Sequence, residues 1–365
     1  MDTPILFIND RGYILTGTMS VVILISYIVS ISLFLKGFSG YFLPFVGLNV
    51  NFFSMAATET LVISVFVVLN FFGSKMVGRT ELVIVSVKVL ILALLVIAGI
   101  WFIDTGRLTP QITGKYSSGT LFASSIFFLS YMGFGLITNA SENIKDPKKN
   151  VPRAIFISIL IATLVYVFVS LVVIGNLPLS EIIAAKENAL AEAARPSLGR
   201  FGFIILSLGA LFSISSALNA TLYGSANISY TLAKEGELPE FFERKVWFKS
   251  TEGLFITAAL GLLIAIFIDI GGIAAITSSV FISIYLFVFV SHYRLRRKVG
   301  GKTWIIILGF IAVSSSFIIL MYMQLTENPM VFLMIVGLFI LSFSMEYVYR
   351  LKTRRKFRSS TEIGD

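Results

Sequence analysis

"YMGFGLITNASENIKDPKKNVPRA", residues 131–154, starts inside an apolar run, places Gly133 and Gly135 there, and closes in a basic turn marked by Pro147 and Pro152. A glycine in a helix interior is about 1 kcal/mol less favourable than alanine, so two of them flanking Phe134 make a weak point. In lipid, where no water satisfies a freed amide or carbonyl, a broken backbone is tolerated only when it lines a cavity or is covered by protein. The same glycines could instead serve close helix packing, although a GxG spacing suits that use less well than GxxxG. Which of these holds decides whether the chain is a plain bundle or a bundle built around a discontinuous helix.

The surrounding sequence settles the solvent. The chain is 56% hydrophobic and 13% charged, with a mean hydropathy of +0.90, against about 45–50% and about 25% in soluble domains. It is an all-α integral membrane protein. Crossing the hydrocarbon core takes about 20 apolar residues. Uncharged intervals of that order occupy 12–35, 116–141, 154–180, 201–233, 270–293 and 303–326. Shorter ones lie at 60–74, 253–268 and 328–345, and 82–103 is long enough but carries Lys88. Ten spans are expected, within one transmembrane domain over 1–349 followed by a basic tail over 350–365. The segment 180–199, rich in Ala and Glu, reads as a short surface helix.

Lysine and arginine in the loops orient the bundle. With the N-terminus inside, alternate loops and the tail hold 22 of the 29 basic residues. The opposite loops hold six, Lys36 among them, and Lys88 lies within a span. Both termini are therefore expected on the cytoplasmic side of a cell membrane. The net charge of +9 is this bias and needs no nucleic-acid partner. The tail, "RLKTRRKFR", is suited to anionic lipid headgroups.

Catalytic parts are sparse. The sequence has no cysteine and one histidine, His292, beside "YRLRR" at the end of a span. That leaves zinc and thiol mechanisms without ligands or nucleophile, and no metal or cofactor is expected. Lys88 is the exception, because a charge two turns inside an apolar run costs about 2.5–3.5 kcal/mol on insertion scales. It either snorkels toward the interface near Arg79 and Glu81 or faces a polar cavity, where desolvation would let it exchange a proton. Ser216, Asn219, Tyr223 and Asn227 recur at helical spacing and draw one polar stripe. The stripe is either interhelical hydrogen bonding or part of the same cavity.

With these residues on the page, the chain resembles the amino acid, polyamine and organocation permeases. The likeness is densest at Gly133, Phe134, Glu142, Pro147, Lys149, Pro152, Ala154 and Ile155. It extends to "LNFFGSKMVGRTELVIVSVKVLIL" and "YTLAKEGELPEFF", and covers nearly the whole chain. The resemblance implies an inverted-repeat transporter fold, five helices plus five plus two, with the substrate between two broken helices. It implies an amino-acid permease working by alternating access, as a proton symporter or an exchanger, and not an enzyme. Ser130, Tyr131, Met132, Gly133, Phe134 and Gly135 would surround the substrate. Lys88 would couple protons, with Ser216 and Asn219 beside it.

Three departures from the family pattern accompany the likeness. Matched to the family, the first span here corresponds to the third helix, so the first two helices, including the other broken one, are expected to be missing. Either the reading frame starts upstream or the gene is shortened. Gly135 stands where an acidic residue is usual, which argues against a cationic substrate being read there, and Asn227 stands where an arginine is common. The alternative to a transporter is an inactive, truncated permease acting as a membrane interaction or sensing subunit.

Overall fold

The computed structural model describes residues 10–353, apart from 72–76, 110–113, 135–136, 138–143, 235–237 and 245–251. Among the described residues every regular element is helical. In chain order these are α1 Asp10–Phe45, α2 Phe52–Phe71, α3 Val77–Gly99, α4 Gly114–Ile126 and α5 Pro147–Asn176. The short α6, Leu179–Ala185, precedes α7 Arg195–Lys234, α8 Glu252–Phe267, α9 Ile270–Val299, α10 Thr303–Glu327 and α11 Pro329–Thr353. Among the described residues eight helices are long and apolar enough to span a membrane, and two shorter apolar helices lie at Gly119–Tyr131 and Glu252–Phe267. Each of the ten coincides with one of the expected spans.

Helix ends follow local chemistry. Asn51 and Ser54 cap α2 reciprocally: the Ser54 amide donates to Asn51 Oδ1 at 2.9 Å, and the Asn51 amide donates to Ser54 Oγ at 3.0 Å. Asp269 caps α9 by accepting from the Gly272 amide at 3.1 Å. The basic turn quoted above opens α5, with Pro147 in the first helical position, where its missing N–H is no loss. At the far end of α9, Arg296, Arg297 and Lys298 occupy the last turn, where cations complement the helix dipole. Gly300, at φ 84°, ends that helix.

The bundle is organised around α1, which packs against α2, α7, α8, α9 and α11. Every apolar cluster draws on it. Val22 and Val29 pack with Ile273, Val280 and Leu320, while Ile31 and Leu35 pack with Leu218, Leu222 and Leu254. Val21, Leu24 and Ile28 join Leu232 and Phe242, and Tyr41 joins Leu95, Leu206 and Phe203. Hydrocarbon supplies no hydrophobic drive between spans, so close approach and interhelical hydrogen bonds have to hold them. The crossing of α1 and α8 uses both: Ser32 Oγ donates to the Gly261 carbonyl at 2.8 Å. A Cβ on Gly261 would come within 2.7 Å of Ile31 Cγ2 and 3.0 Å of Ile31 Cβ.

The segment between α5 and α7 is a rim and not a span, as read from its composition. It runs through α6, a 3-10 turn at Lys186–Asn188 and a single turn at Ala189–Glu192. Ala191, Ala193 and Ala194 are fully buried, so the alanines seat it on the bundle.

Gly261→Val forces α1 and α8 apart at their crossing. The expected loss is about 1–3 kcal/mol, the usual cost of overpacking a filled interface, read as a lower unfolding temperature of the purified protein in detergent.

Candidate functional site

The weak point anticipated at the two glycines begins earlier than they do. α4 gives way at Ile126 to a 3-10 stretch, Phe127–Phe134. The i to i+3 bonds of such a stretch are poorer than α-helical ones and rarely run this long. The Ile126 carbonyl, at the junction, accepts from Ser278 Oγ of α9. Ser278 is fully buried between Thr277 and Ser279, a polar triplet in the middle of α9.

Two further contacts hold the stretch from α5. Tyr166 OH donates to the Ser130 carbonyl at 2.9 Å, and the hydroxyls of Tyr131 and Thr163 share a hydrogen bond at 3.1 Å. The two tyrosine rings meet edge to face at 5.5 Å. Gly133 is exposed, with nothing among the described residues within 4 Å of where a Cβ would stand. Met132 and Phe134 belong to the 3-10 stretch by their backbone, while Gly135 and Glu142 lie outside the described residues. Ser130, Tyr131 and Gly133 therefore share one segment whose backbone leaves α-helical pairing, with the Ser130 carbonyl answered from α5 and the Ile126 carbonyl at its start answered from α9.

Lys88 lies on α3, half-buried, while its neighbours Val87, Val89 and Leu90 are exposed. It shares a face with Ile91, Leu92 and Leu95, which pack in the cluster containing Leu206, Leu211 and Ile214 of α7. Ile91 abuts Gly209, 2.8 Å from a Cβ placed there. With the two helices antiparallel, that register sets Lys88 level with residues 212–213 of α7, about one turn from Ser216 and two from Asn219. Lys88 thus faces the bundle and not lipid.

The polar stripe on α7 divides. Asn219 Oδ1 accepts from Asn70 Nδ2 of α2 at 2.8 Å, so this residue joins α7 to α2. Ser216 is half-buried, and Tyr223 and Asn227 are exposed. The buried polar contact of α7 toward α8 is made elsewhere, by the hydroxyls of Ser225 and Thr257 at 3.0 Å. His292 sits at the end of α9, with Nε2 3.1 Å from the Gly300 carbonyl.

One constellation was absent from the sequence reading, and it corrects the placing of Lys36 in a loop. Lys36 lies within α1, nine residues before its end, and its Nζ is 3.3 Å from Glu59 Oε1 of α2. Ser39 Oγ donates to the same oxygen at 3.1 Å. Glu59 is 1% exposed, and its Oε2 has no hydrogen-bond partner among the described residues. The uncharged intervals had been cut at these two residues because they are charged. The signal that could have joined them was the apolar sequence continuing past each, "GFSGYFLPF" after Lys36 and "FFSMAAT" before Glu59.

Comparison with known proteins adds an independent line. A family model described as amino acid permease matches residues 7–345. An uncharacterized protein of Methanocaldococcus jannaschii is 55% identical over 362 residues, 99% of this chain and 83% of that protein. The inner membrane transport protein YbaT of Escherichia coli is 31% identical over 334 residues, 91% of this chain and 77% of its own length. The methylthioribose transporter of Bacillus subtilis is 26% identical over 297 residues, 76% of this chain and 63% of that protein.

Tyr166→Phe keeps the ring contact with Tyr131 but removes the donor to the Ser130 carbonyl. A loss of about 1 kcal/mol follows, measured by thermal unfolding beside Tyr166→Leu, which removes the ring as well and falls further.

Proposed function

This chain belongs to the amino acid permease family, and from that premise we propose that it carries an amino acid or a related small molecule by alternating access, as a proton symporter or an exchanger. It is a multi-pass membrane transporter and not an enzyme. The observation that supports the finer reading is the mid-span change of α4 from α-helix to 3-10 at Ile126. A spanning helix that keeps such a break places polar backbone groups at depth, where the charged ends of a small zwitterion need partners.

In this reading Ser130, Tyr131, Met132, Gly133, Phe134 and Gly135 surround the substrate, and the absence of a side chain at Gly133 lets it approach the backbone. Ser278, Tyr166 and Thr163 hold the segment in its non-α form. Lys88 takes up and releases the proton. Its half-buried position on the packed face of α3 supports that role over snorkelling. Ser216 lies about one turn away and would hydrogen-bond that amine, whereas Asn219 acts through α2 by way of Asn70.

The cell membrane is the site of action, and both termini are cytoplasmic, in keeping with the concentration of Lys and Arg in alternate loops. The basic residues of the tail 350–365 then lie against anionic headgroups. Two global states, open to either side, would be biased by substrate and proton through their different affinity for each.

Uptake of labelled amino acids into proteoliposomes under an inward proton gradient tests this reading. Wild-type protein accumulates label, and collapse of the gradient stops accumulation. Lys88→Ala is expected to lose at least tenfold in gradient-driven uptake while retaining substrate binding. Undiminished proton-driven uptake by the variant removes Lys88 from the mechanism, and the absence of both uptake and binding in wild type favours the interaction or sensing subunit.

A further inference from the structure

We propose that Glu59 is a second proton-binding site of this protein, held by Lys36 and Ser39 at the end of the bundle opposite the basic loops. Its depth comes from the helices. Lys36 stands nine residues before Phe45 at the end of α1, and Glu59 seven residues after Phe52 at the start of α2. At 1.5 Å per residue each lies about 10–14 Å below its helix end, beneath the headgroup layer. Ionisable groups at that depth are expensive and mark ion pathways.

The arrangement is incomplete in one respect. Glu59 Oε1 receives both Lys36 Nζ and Ser39 Oγ, while Oε2 is buried without a hydrogen-bond partner among the described residues. A buried carboxylate oxygen left so is costly. A metal cation suits this oxygen poorly, because the ammonium already balances the carboxylate's charge and no cluster of three acidic, His or Cys ligands stands among the described residues. A proton needs no such cluster, and it removes the negative charge from the apolar surroundings.

The charged groups around the site supply a second state. The turn Lys186–Asn188 packs on α1 and brings Glu187 against Gly40, one helical turn from Lys36. Glu187 Cβ is 2.5 Å from where a Gly40 Cβ would stand. Lys186 of that turn is exposed. α7 and α8, the other helices packed on α2, contribute Leu218, Leu222, Leu254 and Ala258 around Val62 and Ile63. Their charged residues, Arg195, Arg200, Lys234 and Glu252, sit near the helix ends. Lys36 is ion-paired to Glu59 on α2, and the rim brings a second carboxylate, Glu187, against Gly40 one turn further along α1. Protonation of Glu59 releases the ammonium toward Glu187 and loosens α1 from α2. Gly40, having no side chain, is what lets Glu187 sit this close to α1.

The inference rests on the transport reading only for its link to uptake. The proton site itself is read directly, by infrared difference spectra of the purified protein in lipid nanodiscs between about pH 8 and about pH 4, the range in which carboxyl groups in proteins titrate. Wild type minus Glu59→Gln is expected to contain one slowly exchanging protonated-carboxyl band. In Ser39→Ala, which loses a hydrogen bond to the charged form, the midpoint of that band moves to higher pH. If Glu59→Gln does not fold, the charge-free pair Lys36→Met with Glu59→Gln takes its place. A spectrum identical in wild type and variant overturns the proposal, as does a band that Ser39→Ala leaves unmoved. In proteoliposomes the Glu59→Gln variant is expected to lose the pH dependence of uptake, and an unchanged profile overturns the link to transport. If wild type takes up no amino acid at any pH, the transport reading fails while the infrared band still decides the proton site.

Discussion

A backbone amide or carbonyl inside hydrocarbon has no water to bond, and the architecture follows from that constraint. It makes every described regular element helical and sets the lengths of the spans. It also makes the mid-span departure of α4 from α-helix informative. Where α4 becomes 3-10 at Ile126, the carbonyls of Ile126 and Ser130 are answered by Ser278 and Tyr166, from two different helices. The break is thereby held in place by its neighbours, and the neighbours in turn are tied to it.

A second consequence concerns how the spans find one another. Since apolar side chains gain little by leaving lipid, the register of the bundle rests on close approaches and on isolated polar pairs. These pairs are distributed among the crossings: Ser32 with the Gly261 carbonyl, Ser225 with Thr257, Asn70 with Asn219, and Lys36 with Glu59. Three are neutral and each is worth a modest amount. The fourth is ionic, and the desolvation of two charges offsets much of its attraction. A pair of that kind is poor glue, which is why its chemistry is better sought in function than in stability.

Much of this was visible before any coordinates. The eight long apolar helices and the two shorter ones overlap the long apolar runs read from the sequence, and Gly133 lies in the helix that leaves α-helical geometry. Lys88 stood out because a charge in an apolar run is rare. The same reasoning failed at Lys36 and Glu59, because a charge near the edge of an apolar run looks like the edge itself. Only the continuation of α1 for nine residues beyond Lys36 shows that the lysine is inside. The stripe on α7 was misleading for a related reason: helical spacing put Ser216, Asn219, Tyr223 and Asn227 on one side, but the neighbouring helices bury that side only in part.

The sequence by itself determined the solvent, the all-α membrane class and the family resemblance, because these depend on composition, run length and local motif, which are one-dimensional properties. Tertiary structure decided which polar groups meet. Ser278 and Ile126 are 152 residues apart, Asn70 and Asn219 149, and Lys36 and Glu59 belong to different helices. Such pairings depend on the rotation and depth of each helix against its neighbours, which hydropathy along one strand of text does not encode. The opening glycines mark where a helix can yield; the side chains of α5 and α9 decide that it does so from Ile126 onward, and how it is held.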